Sequence, residues 1–392
     1  MTEKPIRLDA RVDGGFLPGG VHLADLEALR LVLRGGSTVD WYRPNFRTHK
    51  QIRSFLKVNG YDTRQPLDEA RLRQLIQAST EYLHDTFSVQ FPKVIREPEA
   101  IEDLFLLAST LDSPHQKLAC MTLKSMHVIN HLEGRELGHR LSVSDRALFG
   151  MAEQRVSACV TAMRRAGIGV HQYQASRKPQ SSLITKLLSK RRTIAAQIYD
   201  KVRFRIITRD RSDIVPALLH LNRHLLPFNY VVPEETRNDI INFRTLVEAA
   251  PDLHSRIDRL QFDLGLEERL DPALEDSSTA PFNPATSESY RVINFVIDLP
   301  VRVDKLLEEL GTPATPETGF IVFVLVEFQV FDRQTFETNE DGPASHARYK
   351  NRQKEMVLRR LVQGMPATLR AEQELDWEIG PTPSNHDEET TP

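Results

Sequence analysis

The run Phe-Ile-Val-Phe-Val-Leu-Val-Glu-Phe-Gln-Val-Phe, residues 320–331, constrains this chain more than any other stretch. β-Branched and aromatic residues fill it, no Gly or Pro breaks it, and it is too short to cross a bilayer as a helix. It therefore predicts a strand lying centrally in a sheet, with both faces covered. Glu327 and Gln329 are its only polar residues, and a spacing of two puts them on one face. Burying a carboxylate in such a run is costly unless a metal, a cation or a proton donor meets it. Glu327 is thus the most informative single residue, with an ion pair to a sheet arginine such as Arg205 as the competing explanation.

Two further stretches share a strand-like pattern. Val202, Phe204 and Ile206 alternate with Arg203 and Arg205, and Tyr290–Leu299 forms another apolar segment. Ahead of them the apolar residues recur at helical spacing. A patch at Leu23–Leu33 is broken by Gly35-Gly36, Leu72, Leu75, Ile76, Tyr82 and Leu83 make one helix face, and similar patterns occupy 99–110 and 116–133. The clearest helix starts after a plausible N-cap, Ser144, and runs through Val156 and Met163 to Gly167. A short extended piece, Val170–Gln174, a helix from Ser181 to about Gln197 and a helix over 213–226 complete the pattern.

The fold class expected is α+β, with a mostly helical N-terminal region at 1–145 and a mixed sheet flanked by helices at 146–358. Insertions are expected at about 244–288 and 303–319, and an acidic disordered tail at 371–392.

Lys and Arg number 51 against 54 Asp and Glu, a formal charge of −3 that by itself points to neither nucleic acid nor membrane. The distribution is uneven. Eleven Lys/Arg and two Asp lie between Arg177 and Arg211, whereas residues 371–392 carry seven acids and no Lys or Arg. The first segment suits an anion and the second a solvated tail.

Two cysteines, Cys120 and Cys159, both in apolar-periodic segments, describe no disulfide framework and suggest a reducing compartment. With no signal-like N-terminus and no long apolar run, the expectation is a cytoplasmic protein without a membrane partner. Cys120, His127 and His131 share a helix face, which invites a zinc reading. The absence of a second cluster at ligand spacing favours packing or surface roles instead.

Lys178, Ser182 and Lys186 are spaced by four, so a helix would aim two cations and a hydroxyl at one anion, although any solvated helix face can carry two lysines. Asp200 opens the strand that contains Arg205. There it suits a hard divalent cation that also meets phosphate oxygens, or merely a turn.

Taken in order, these residues resemble the synthetase domain of the RelA/SpoT alarmone enzymes, a branch of the nucleotidyltransferase fold. Ser176-Arg-Lys-Pro-Gln-Ser-Ser-Leu-Ile-Thr-Lys186 is similar to the family's lysine–serine–lysine phosphate helix, with Arg177 displaced by one from the adenine-stacking arginine. Ile198-Tyr-Asp-Lys-Val-Arg-Phe-Arg-Ile-Ile207 is similar to its metal-aspartate strand. Asn238–Phe243 resembles its Asp-Tyr-Ile segment, and Ser289-Tyr-Arg-Val-Ile-Asn294 its Gly-Tyr-x-x-x-His strand, with Asn294 in the histidine's place. Val326-Glu-Phe-Gln-Val330 resembles its Glu-x-Gln strand, with Phe331 where an arginine follows, and Ala344-Ser-His-Ala-Arg-Tyr-Lys350 its closing helix, which contains His346.

The resemblance covers roughly 150–355. It implies a pyrophosphokinase that transfers pyrophosphate from ATP to the 3′-hydroxyl of a guanosine nucleotide, GDP or GTP, or of another nucleotide, as in the stringent response. It further implies Mg²⁺ held by Asp200 and Glu327, which are also the catalytic pair. Arg177, Lys178, Ser182, Lys186 and Arg205 are implied on phosphates, and Tyr290 on the acceptor base. Asn294, Gln329 and His346 complete the substrate-binding set.

Two other functions remain open, a catalytically degraded nucleotide- or alarmone-binding regulator and an enzyme of the same fold that modifies RNA ends. The helical half has one His-Asp sequence pair, His84-Asp85, with no further cluster at ligand spacing, and the companion hydrolase activity of bifunctional relatives is not expected there. That half is expected to support or regulate the other.

Overall fold

Ser144 behaves as its position predicts: its side chain accepts a hydrogen bond from the Ala147 N–H and opens a helix that ends before Gly167, where φ is +82°. The structure, a computed structural model, describes residues 23–41, 43–111, 113–141, 143–189, 202–242 and 290–341, with short pieces between 350 and 361.

The helical half contains α1 (Leu23–Arg34), α2 (His49–Val58), α3 (Pro66–Phe87), α4 (Lys93–Arg96), α5 (Ile101–Ser109), α6 (Gln116–Arg140) and α7 (Asp145–Arg165). Two of these exceed the sequence reading. Helix α2 falls in a stretch without clear periodicity and is set by the Thr48 cap, whose hydroxyl accepts from the Gln51 N–H. Helix α6 continues well past residue 133.

The second half contains β1 (Val170–Arg177), α8 (Gln180–Ser189), β2 (Val202–Thr208), α9 (Ile214–His224), β3 (Arg237–Asn238), β4 (Ile293–Arg302), α10 (Asp304–Glu309), β5 (Ile321–Asp332) and α11 (Arg333–Asp341). The strands form one mixed sheet in the order β1-β2-β5-β4-β3, with β2 and β5 parallel and the other neighbours antiparallel. The architecture is α+β, and the apolar run is the central strand. β1 extends past Gln174 to Arg177 because β2 supplies it with partners over its whole length. The expected insertion at 303–319 holds α10 and a turn. The insertion at 244–288, the tail at 371–392 and the helix beyond Ser189 lie outside the described residues.

Residue alternation sorts the sheet into two faces. Phe204, Phe295 and Phe328 stack across three strands on one, with centroids 5.4 and 5.3 Å apart, inside a buried cluster that also takes in residues of α1, α7 and α9. The other face begins at Phe323, where α6 lies so close that a Cβ on Gly134 would sit 2.5 Å from the Phe323 ring and 2.8 Å from the Ile321 carbonyl oxygen. Only glycine permits that approach. Ion pairs fasten α3 beside this contact: its fully buried Asp68 meets Arg302 of β4 at 2.7 Å, and its buried Arg71 holds both Glu133 of α6 and the Pro316 carbonyl. Among the described residues, no helix is long and apolar enough to cross a membrane.

Candidate functional site

Beyond Phe323, the face carrying Glu327 becomes polar. The parallel register sets Arg203 opposite Glu327 and Arg205 opposite Gln329, while β4 places Asn294 opposite Gln329 on the other side. The side chains form a continuous row. Arg203 Nε donates to Glu327 Oε2 at 2.7 Å, and Gln329 Nε2 donates to Glu327 Oε1 at 3.2 Å and to Asn294 Oδ1 at 3.3 Å. Arg205 Nε donates to Gln329 Oε1 at 3.0 Å. Glu327 is 7% exposed, so its charge is met by a guanidinium rather than by water. The ion pair foreseen for Glu327 is present, but its partner is Arg203, because parallel pairing matches 203 with 327.

A second small apolar cluster closes the far end of the row. It contains Ile207, Val292 and Phe331, with Tyr290 and Phe336 against it. The Tyr290 ring meets Phe331 edge-on at 6.3 Å, and the Arg237 guanidinium lies 5.8 Å from its centroid. Asn339 of α11 accepts from the Arg291 N–H and donates to the Arg291 carbonyl, fixing the segment that carries Tyr290. Burial raises the Tyr290 phenol above its ordinary pKa, opposed by Arg205 and Arg203. Burial lowers Arg205, and Arg203 adds to the effect. Both shifts place Tyr290 and the two arginines within one electrostatic neighbourhood. The row is thus bounded by helix-covered Phe323 at one end and by an aromatic ring at the other.

The structure brings together Arg205, Glu327, Gln329 and Asn294, with Tyr290 beside them. Arg177 is directed elsewhere: it pairs with Val202, on the opposite alternation from Arg203, donates to the Arg146 carbonyl at 3.0 Å, and lies 5.2 Å from the Phe149 ring centroid. Lys178 precedes α8, while Ser182 and Lys186 belong to it. Asp200, His346 and the Lys186 side chain lie outside the described residues.

Arg203 was legible only as a strand residue, although its position one alternation before Arg205 was a usable signal. Asp298 was also missed. Set in the apolar run of β4, it is 4% exposed and meets His131 Nε2 at 2.7 Å and Arg135 at 3.5 Å.

The described residues contain no group of three or more His, Cys, Asp or Glu able to hold a metal. Cys120, His127 and His131 have separate partners: Cys120 Sγ approaches the Ala108 carbonyl, His127 meets Asn229, and His131 meets Asp298. Glu327, the described half of the implied Mg²⁺ pair, has both oxygens engaged by Arg203 and Gln329. By itself this set does not fit a divalent cation.

No family model and no curated protein matches the chain. Solved structures similar to it include small alarmone synthetases. Small alarmone synthetase 1 from Bacillus subtilis is 15% identical over 59% of this chain and 97% of its own, with a TM-score of 0.28. Small alarmone synthetase 2 from the same organism is 15% identical over 59% of this chain and 96% of its own, with a TM-score of 0.27. A structure of the first enzyme bound to its product pppGpp covers 57% of this chain at 14% identity, with a TM-score of 0.26. At these scores the likeness carries no argument about activity.

Proposed function

We propose that the polar row is a nucleotide phosphate site and that residues 146–358 form a RelA/SpoT-like pyrophosphokinase unit, moving pyrophosphate from ATP to the 3′-hydroxyl of a guanosine or other nucleotide. The observation that carries this reading is the row Arg203–Glu327–Gln329–Arg205, bounded by Tyr290. It contains two guanidiniums and one carboxylate on the inner strands β2 and β5, with an aromatic ring beside them. Phosphoryl-group transfer depends chiefly on positioning and charge neutralisation, which paired guanidiniums supply. Arg205 would bind a phosphate oxygen, Tyr290 would stack against the acceptor base, and Glu327 would accept the 3′-hydroxyl proton once substrate draws Arg203 away. In the same reading Lys178, Ser182 and Lys186 extend the cationic surface, the protein works in the cytoplasm, and Asp200 joins Glu327 when Mg²⁺ is required.

A second reading, a nucleotide- or alarmone-binding regulator without turnover, is favoured by one observation: Arg203 already neutralises Glu327. One experiment separates the two. Purified protein is incubated with labelled ATP, Mg²⁺ and GDP or GTP, and AMP and a pyrophosphorylated nucleotide are sought. Formation of both, lost in Glu327→Gln and absent without Mg²⁺, supports the transferase. Thermal stabilisation by GTP or ATP without product supports the regulator. Neither product nor stabilisation with any nucleotide removes both.

A further inference from the structure

The helical half contains a cavity of about 130 Å³ that the polar row does not use. Its wall is mainly apolar and carries a cluster of rings: Phe46, Phe55 and Phe105 pack with centroids 5.2–6.0 Å apart, and Trp41 stacks on Phe228 at 5.4 Å and 15°. Cavities of about 150 Å³ with such linings admit benzene, so this volume suits one aromatic ring.

Two cationic or donor groups from one face of α6 join the lining. Lys124 is half-buried and has no ion pair among the described residues. His127 is half-buried, and desolvation together with neighbouring His131 pushes its pKa down to about 4, so it is neutral at physiological pH. Its tautomer follows from a chain of bonds. Asn59 Nδ2 donates to the Phe55 carbonyl, so Asn59 Oδ1 accepts from Asn229 Nδ2 at 3.0 Å; that amide also lies 3.3 Å from His127 Nδ1. Nδ1 therefore accepts, and Nε2 carries the proton as a donor.

We propose that this cavity binds a small aromatic carboxylate, its ring among Trp41, Phe46, Phe55 and Phe105 and its head at Lys124 and His127. The site stands on the aromatic lining, the volume and the two donors, independently of the nucleotide site proposed on the sheet. The third wall of the cavity, Phe228–Tyr230, leads directly into β4 pairing: Val231 bridges Ile297, and the Val232 N–H donates to the Val296 carbonyl.

Trp41 provides the readout. In a Trp377→Phe background it is the sole tryptophan, and titration of the full chain with phenylacetate, toluene and acetate should give saturable emission changes for the first two and none for acetate. Lys124→Met should weaken phenylacetate by about tenfold and leave toluene unchanged. Lys124 is far enough exposed for this variant to fold, and saturation-transfer NMR on unmodified protein gives a second measurement of phenylacetate binding. Absence of saturable emission changes with both aromatic probes, together with no phenylacetate signal by saturation transfer, overturns the site. Equal phenylacetate affinity in wild type and Lys124→Met overturns the carboxylate assignment.

Discussion

Asp298 and Glu327 are buried carboxylates on neighbouring strands of one sheet, and by alternation they share a face, yet they stand in different surroundings. Asp298 lies where α6 covers the sheet, and its partners, His131 and Arg135, come from that helix. Glu327 lies where the helix no longer reaches, and its partner, Arg203, comes from the sheet itself. A carboxylate neutralised by a covering helix joins two layers. One neutralised by its own neighbouring strand ties two strands of the sheet together. Burial and pairing alone do not distinguish the two acids; the origin of the partner does.

Mutation separates the two acids. The largest effect is expected from Arg203→Ala, which strands a buried Glu327 and should lower unfolding stability by about 3–5 kcal/mol in urea titrations. The double change Arg203→Met with Glu327→Gln should recover most of that loss; equal instability of single and double variants would contradict the pairing account. Next, Gly134→Ala forces a Cβ against Phe323 and the Ile321 carbonyl, and should cost about 1–3 kcal/mol by overpacking. Because it acts at the covered end, nucleotide-induced thermal shifts should survive it.

Asp298→Asn should cost about 1–2 kcal/mol, since His131 and Arg135 are themselves partly solvated. It should leave nucleotide binding intact, whereas Glu327→Gln should abolish it. A matching loss of nucleotide response in both variants would erase the distinction drawn between the two acids.

Acidification has a smaller effect with a defined sign. His127 and His220 both have folded pKa values lowered to about 4 by burial, against an ordinary value near 6.5. The unfolded chain therefore binds more protons between those values, so stability is full above about pH 6.5 and falls as pH drops towards 4. Thermal midpoints across that window should decline, and His127→Gln should flatten the decline; a midpoint that rises on acidification would refute it. The smallest signal is chemical. Burial pushes the Cys120 and Cys159 thiols up to about 11 and about 12, so the folded protein should react with a thiol reagent at pH 8 far more slowly than the urea-unfolded chain.

The sheet was legible in the sequence wherever a segment carried its own pattern. Phe320–Phe331 predicted its central place, and Ser144 with Gly167 bracketed α7, because caps and apolar runs are local properties. β3 was not legible: two residues, Arg237 and Asn238, become a strand only because β4 offers them a ladder. The site was half legible. Glu327 and Gln329 stood out by type, but the choice of Arg203 over Arg205 as partner depends on register, which no single segment encodes. Asp298 was hidden for a related reason, since its partners are on a helix 167 residues away.

Parallel pairing of β2 with β5 has a kinetic consequence. Arg203 and Glu327 are 124 residues apart in sequence, and the intervening chain supplies β4, the strand that flanks β5 on its other side. Contacts of such separation close large loops and form late, after the local helices of the first half. During synthesis, a ribosome must therefore release β5 before the polar row can exist at all. Until then the arginines of β2 wait without their acid, and the assembled row marks a chain that has finished folding its sheet.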